Sequence, residues 1–262
     1  MGKYALLLAG QPRYSQATLE SIARNILAYN DVDVYCHFWR DATLIPHKAV
    51  AEDANARDED MHRNCETYIQ RIQAALPINA IQVEDQVAFD VERFHPGTEE
   101  ERVLRELGPH RAHMHFKRCN FLIQSQWYSV MAANRLVQRS GIAYDGVMRF
   151  RSDILVPSPM VFDTYDASKL NIPILGSLGD DSDSVSTVFH DTIAFGSPAV
   201  MDVYCDQYLH QDETLRDPRV DALLGSVQLC IFLKRHVGVH RMVNNFFGFP
   251  DSPVRFIART LG

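Results

Sequence analysis

The chain lacks most of the features by which a sequence announces a membrane span, a metal framework or a nucleotide loop. Its N-terminal apolar run, Tyr4 to Ala9, is far shorter than the roughly 20 residues of a bilayer span, and no small-residue cleavage site follows it. Position 6 is Leu rather than Ser or Thr, so Gly2 is not read as a myristoylation site. Cysteine is scarce, and the five residues Cys36, Cys65, Cys119, Cys205 and Cys230 include no CxxC unit. That argues against a zinc ribbon or a disulfide framework and for a reducing compartment. The chain is therefore read as cytoplasmic, with no transmembrane segment and with its cysteines as small core residues. The GxGxxG and GxxxxGK[ST] fingerprints are missing, and dinucleotide and P-loop readings lose their main support with them. There is no GxSxG elbow and no HExxH helix. A net charge of −7 argues against nucleic acid as partner, because phosphate backbones reward clustered Lys and Arg. A small phosphorylated ligand needs only a few well-placed cations and stays open.

What is present is an ordinary globular composition of 262 residues, 46% hydrophobic and 23% charged, without repeats or low-complexity linkers. One α/β domain over residues 1–262 is the simplest account. Tyr4 to Gly10 reads as a strand covered on both faces, and Ser15 caps a helix whose Leu19, Ile22, Ala23 and Ile26 fall at helical spacing. A second strand, Val32 to Phe38, follows at once, so the unit favours parallel pairing through a right-handed crossover. Residues 40–60 read as a polar surface loop or a frayed helix, and Met61 to Leu76 as a helix. A weak strand at Asn79 to Val83 comes next, then a charged stretch, 88–109, suited to a loop over a site. Phe116 to Gln138 is the longest helix. Asp145 to Val156, Asn171 to Leu175, Val188 to Phe195 and Gly238 to Val243 each read as one strand. Ser197-Pro198 opens a helix, and another covers about 220–235. The fold class expected is a single Rossmann-like domain with a mostly parallel central sheet flanked by helices.

Three constellations carry polar chemistry. Gly10-Gln11-Pro12-Arg13 ends the first strand, where open α/β sheets gather ligands. A glycine there admits close backbone approach, and Arg13 suits a diphosphate; an ordinary turn is the plainer reading. In the run Tyr144 to Ile154, the strand period of two puts Arg149, Arg151 and Asp153 on one face. Charges inside an apolar run are costly unless paired or bound, so this set suits an anion, with Asp153 able to hold a divalent cation. A structural Arg–Asp ion pair is the alternative. His190 and Asp191 open an apolar strand and offer a base, hydroxyl-binding groups or metal ligands, although surface His-Asp pairs are usually inert. The stretch Gly179 to Asp183 lacks the offsets of a calcium loop, and His110, His113 and His115 read as a polar loop rather than a metal site. Asn245 to Phe249, with Arg255, Phe256 and Ile257, is read as core packing; closing over the site or mediating a homodimer are the alternatives.

Taken in order, strand–GQxR–helix–DVYCHFW, then Gln124-Ser125-Gln126-Trp127-Tyr128-Ser129, YDGVMRFRSDI and HDTIAFGS resemble bacterial and viral polysaccharide-type glycosyltransferases of the GT-A superfamily. The Arg151-Ser152-Asp153 segment is similar to one in WavE-like lipopolysaccharide synthesis proteins. The likeness runs from Leu6 to about Val239. It implies transfer of a sugar from a nucleotide-sugar donor to a glycan or lipid-linked glycan acceptor. It also implies that Gly10, Gln11 and Arg13 lie near the nucleotide, and that Arg149, Arg151 and His190 belong to the donor site. Asp153 would lie near the donor sugar or a manganese or magnesium ion, and Asp191 would be the acceptor-side base. Arg151 stands where the first carboxylate of a DxD motif would be, so Arg13, Arg149 and Arg151 offer a metal-free way to neutralise the diphosphate. A catalytically silent nucleotide- or sugar-binding module is the rival reading. A nucleotidyltransferase has less support, because no phosphate loop follows the first strand.

Overall fold

The computed structural model describes residues 2–12, 14–40, 65–89, 104–106, 108–151, 154–175, 188–189, 191–215, 225–244 and 255–256; at 111, 114–116, 118, 175, 188, 215, 225–227, 239 and 255–256 it describes the backbone alone. Its regular elements, in chain order, are β1 (Lys3–Gly10), α1 (Gln16–Asn25), β2 (Asp31–Arg40), α2 (Cys65–Ala75), β3 (Ile78–Asp85), α3 (Pro109–Ser140), β4 (Gly146–Phe150) and β5 (Ile154–Leu155). They continue as β6 (Leu170–Asn171), β7 (Ile174–Leu175), β8 (Val188–Phe189), β9 (Ile193–Gly196), α4 (Pro198–Cys205), α5 (Gln211–Leu215), α6 (Gly225–His236), β10 (Met242–Val243) and β11 (Arg255–Phe256).

Seven strands form one sheet in the order β10-β6-β9-β4-β1-β2-β3. β4, β1, β2 and β3 are mutually parallel, while β9 runs antiparallel between β4 and β6. The expected α/β class and mostly parallel sheet are therefore present. Period-two burial gives β1 two apolar faces. Leu6 and Leu8 turn toward α1 and α2, whereas Ala5 and Leu7 turn toward α3, α4 and α6. The Ser15 hydroxyl caps α1 by accepting the Thr18 N–H at 3.0 Å, as its position suggests. Ser197 precedes α4 with Pro198 in its first turn but makes no side-chain cap.

Chain order reverses at the centre. From β1 the chain moves through β2 to β3 on one side, and α3 then carries it back so that β4 pairs with β1 on the other. β1 and β4 thus flank a topological switch point, and their carboxyl ends open into one crevice.

Several strand expectations are corrected. The run 145–156 is two strands, β4 and β5, that belong to different sheets. Residues 171–175 and 188–195 are likewise split: β6 and β9 join the main sheet, and β7 pairs with β8 in a separate ribbon. From Gly238 only Met242 and Val243 are extended, after a 3-10 turn at Val239–Arg241. Local apolarity marks these segments as buried but does not say which sheet they join. α3 begins seven residues earlier than the Phe116 start expected of it, so His110 and His113 stand on a helix rather than in a loop. Residues 41–64, 90–103, 176–187 and 245–254 lie outside the described residues, and the readings placed on them with them. Among the described residues no helix is long and apolar enough to cross a membrane. Cys36, Cys65, Cys205 and Cys230 are buried, and all five cysteines are thiols outside any disulfide.

Candidate functional site

Gly10 closes β1 with φ +106°, a conformation that side chains rarely adopt, and among the described residues a Cβ there would meet nothing within 4 Å. Backbone conformation, not crowding, therefore requires the glycine. Its N–H donates to Ser129 Oγ of α3 at 2.6 Å, which fastens the end of β1 to that helix. Gln11 follows, partly exposed. Tyr14 donates from its hydroxyl to the Phe150 carbonyl at 3.1 Å, so the turn after β1 is tied to the end of β4.

Beyond β4, Arg151 donates its backbone N–H to the Thr192 carbonyl at 2.9 Å, and its Nη1 meets Asp191 Oδ1 at 2.7 Å. Because β9 is antiparallel, its leading residues Asp191 and Thr192 arrive at the same edge of the sheet as the end of β4. Gln126 of α3 donates to the other Asp191 oxygen, Oδ2. Both oxygens of this carboxylate are thus engaged.

Arg149 sits one turn of the pleat deeper, toward α3 and α4, and is 1% exposed. Among the described residues its Nη1 has no hydrogen-bond partner. The indole N–H of Trp127, the hydroxyl of Tyr204 and the hydroxyl of Thr192 are buried without partners as well. These groups are neighbours: Trp127 and Tyr204 pack edge to face at 5.4 Å, and Arg149, Arg151 and Asp191 all act electrostatically on Tyr204. Burial above all pushes the Tyr204 phenol up, so it remains a neutral hydroxyl. A buried donor left unmade costs about 1–3 kcal/mol, and more if charged. Several such donors therefore lie buried beside one guanidinium.

A second polar cluster lies along β2 and β3. His37 Nδ1 stands 2.7 Å from Ser129 Oγ, and Nε2 stands 3.3 Å from Glu84 Oε2, close enough for charge but poorly aligned for a hydrogen bond. Tyr128 donates to the same Glu84 oxygen at 3.2 Å. Burial holds the His37 imidazole below its usual pKa, and Glu84 offsets this only in part. Burial opposes the Glu84 charge, yet the Gln82 amide, His37 and Tyr128 together hold its pKa down. The order Ser–His–Glu matches that of a nucleophilic triad. Ser129, however, is fully buried and its oxygen accepts the Gly10 N–H, so the cluster anchors the crevice floor instead of attacking a substrate.

Of the sequence-stated site residues, the structure brings Gly10, Gln11, Arg149, Arg151 and Asp191 to the strand ends; Arg13, Asp153 and His190 lie outside the described residues. Gln126, Trp127 and Ser129 stand in the sequence only as part of the Gln124–Ser129 stretch that carries the resemblance, with no site role, and Tyr204 is not a site residue there. The helical interval from Gln126 to Ser129, beside a buried Trp, was the available signal. For a manganese or magnesium ion the described crevice residues are a poor fit: they offer one carboxylate, Asp191, already held by Arg151 and Gln126, next to two guanidiniums. Among the described residues the group suited to a metal is elsewhere, at His210, Glu213 and His236.

The fold is that of an α/β protein with a buried arginine and an Arg151–Asp191 pair at the carboxyl ends of the strands flanking its switch point. No protein-family model matches the chain, and no curated protein matches it.

Proposed function

We propose that the chain is a GT-A-like glycosyltransferase that moves a sugar from a nucleotide-sugar donor to a glycan or lipid-linked glycan acceptor in surface polysaccharide or glycan synthesis. The observation that carries this reading is Arg149, a buried guanidinium with an unpartnered Nη1 beside the Arg151–Asp191 pair at the switch point. In sugar transfer the bond from the anomeric carbon to the donor phosphate breaks while the acceptor hydroxyl oxygen bonds to that carbon. Negative charge builds on the departing diphosphate. Arg149 and Arg151 are suited to stabilise it, with Arg13 as a third cation and Gly10 and Gln11 against the nucleotide. Asp153 and His190 complete the donor side, and Asp153 is the position at which manganese or magnesium would enter. A cytoplasmic location suits such a donor.

Asp191 takes the acceptor's proton only after Arg151 or Gln126 releases it; while both hold it, it positions Arg151. That saturation is the observation that favours the second reading, a silent nucleotide- or sugar-binding module. Thermal-shift measurements with UDP, GDP, CMP, dTDP and ADP, with and without manganese, test both. One nucleotide at a hundred times its Kd should stabilise the wild type by about 2.7 kcal/mol, and Arg149→Met should largely lose the effect. Donor hydrolysis that collapses in Asp191→Asn with binding retained supports the transferase over the module. Silence across the panel from a folded protein sinks the transferase and leaves the sugar-binding module.

A further inference from the structure

Away from the crevice, three side chains converge on one carboxylate oxygen. His210 ends the 3-10 turn Asp206–His210, Glu213 lies on α5 and His236 ends α6. Glu213 Oε2 stands 3.4 Å from His210 Nδ1 and 3.8 Å from His236 Nε2. The two imidazole rings are 4.6 Å apart between centres, and Phe232 packs against both. One donor atom from each residue lies within 4.8 Å of the other two. Donors bound at about 2.0–2.2 Å around a tetrahedral zinc stand roughly 3.3–3.5 Å apart, so side-chain adjustments of about 1 Å close this triangle.

Two features suit a cation better than a plain ion-pair cluster. Arg235 Nη1 donates to Glu213 Oε1 at 2.7 Å, which occupies that oxygen and leaves Oε2 toward the imidazoles. The side chains of His210, Glu213 and His236 are 40%, 49% and 25% exposed, so an ion can enter from solvent.

We propose that His210, Glu213 and His236 form a binding site for a transition-metal cation of the zinc(II) type, with water completing the coordination. Two imidazole nitrogens and one carboxylate oxygen suit zinc and disfavour magnesium and calcium, which prefer all-oxygen sets. The bound ion clips α5 to the end of α6. This site does not depend on the transferase reading, because none of its ligands lines the crevice.

Zinc chloride titrated calorimetrically into the intact, metal-stripped chain tests it, with magnesium chloride as the comparison. Saturable one-to-one zinc binding is expected, with a raised Tm and no response to magnesium. His210→Asn and His236→Asn should each bind zinc at least tenfold more weakly while keeping the metal-free Tm. Should either unfold, Glu213→Gln carries the same test, and cobalt(II) absorption in the visible gives a second readout that the variants should lose. Absence of saturable zinc binding by the wild type overturns the proposal, as does undiminished zinc binding by the folded variants.

Discussion

The two faces of the sheet are built to different rules. Under α1 and α2 the buried polar groups are satisfied: Asn30 donates to the Ile26 and Met160 carbonyls at 2.7 Å and accepts the Phe162 N–H at 2.7 Å, and Asn25 donates to the Val156 carbonyl. On the opposite face the picture inverts. Every described buried side chain with an unpartnered polar atom lies there: His37, Trp127, Asn134, Arg149, Thr192, Tyr204, Gln207, Gln211 and Gln228 belong to that face of the strands or to the helical layer covering it. Unmade hydrogen bonds oppose stability, so the α1 and α2 face has its buried polar groups satisfied while the other face carries the unmade ones found among the described residues.

Substitutions can break this comparison. The largest effect is expected from Ile22→Ala, which removes a fully buried side chain from the satisfied face and should cost about 2–5 kcal/mol in denaturant unfolding. Arg149→Met, of similar volume on the opposite face, should cost far less or stabilise, because it removes a buried charge whose Nη1 has no partner. An equal loss from both would end the distinction. Next in size, Asn30→Ala should cost about 1–3 kcal/mol by orphaning the Phe162 N–H and two carbonyls. Tyr204→Phe deletes a hydroxyl without a partner and should leave Tm within the scatter of the measurement.

The smallest effect is on pH dependence. Burial holds His37, and burial with His210 holds His236, below the ordinary value of 6.5. Once unfolded they regain that value, so below about pH 6.5 the unfolded chain binds protons that the folded chain refuses. Stability should fall as pH drops through 6.5 and level off below the depressed folded pKa values. A Tm that rises between pH 7 and pH 5 would contradict this, and His37→Gln should flatten the curve.

Much of this frame is legible in the sequence. The apolar run of β1, the Ser15 cap and the immediate second strand define a parallel unit through local signals alone, and alternating Arg149 and Arg151 mark the crevice because charge at period two is conspicuous in an apolar strand. Tyr204 is not legible in this way: it falls on the helical stripe of Met201 and Cys205 and reads as core, which by burial it is. Only its hydroxyl's lack of a partner sets it apart, and that depends on what folds around it. Gln126 has the same difficulty, since its partner Asp191 is 65 residues away. The two-residue strands fail for another reason: pairing in either sheet satisfies the same local pattern. His210 and Glu213 are near neighbours in sequence, but His236 reaches them only through the packing of α6.

The position of β1 also bears on how the chain comes into being. Of the strands in this sheet it comes earliest in the sequence and lies in the sheet's interior, yet one of its two neighbours, β4, arrives late: the contact that leads into this pairing, Lys3 N–H to Asp145, spans 142 residues. During synthesis β1 can pair with β2 early, and β2 with β3, but the other edge of β1 waits, unpaired and flanked by apolar side chains, until α3 and β4 leave the ribosome. A contact so distant in sequence slows folding, and an open strand edge invites pairing with other chains. Truncations that end before residue 146 should therefore collect as aggregates, and the yield of native protein should depend on how quickly the nascent chain delivers the strand that closes its centre.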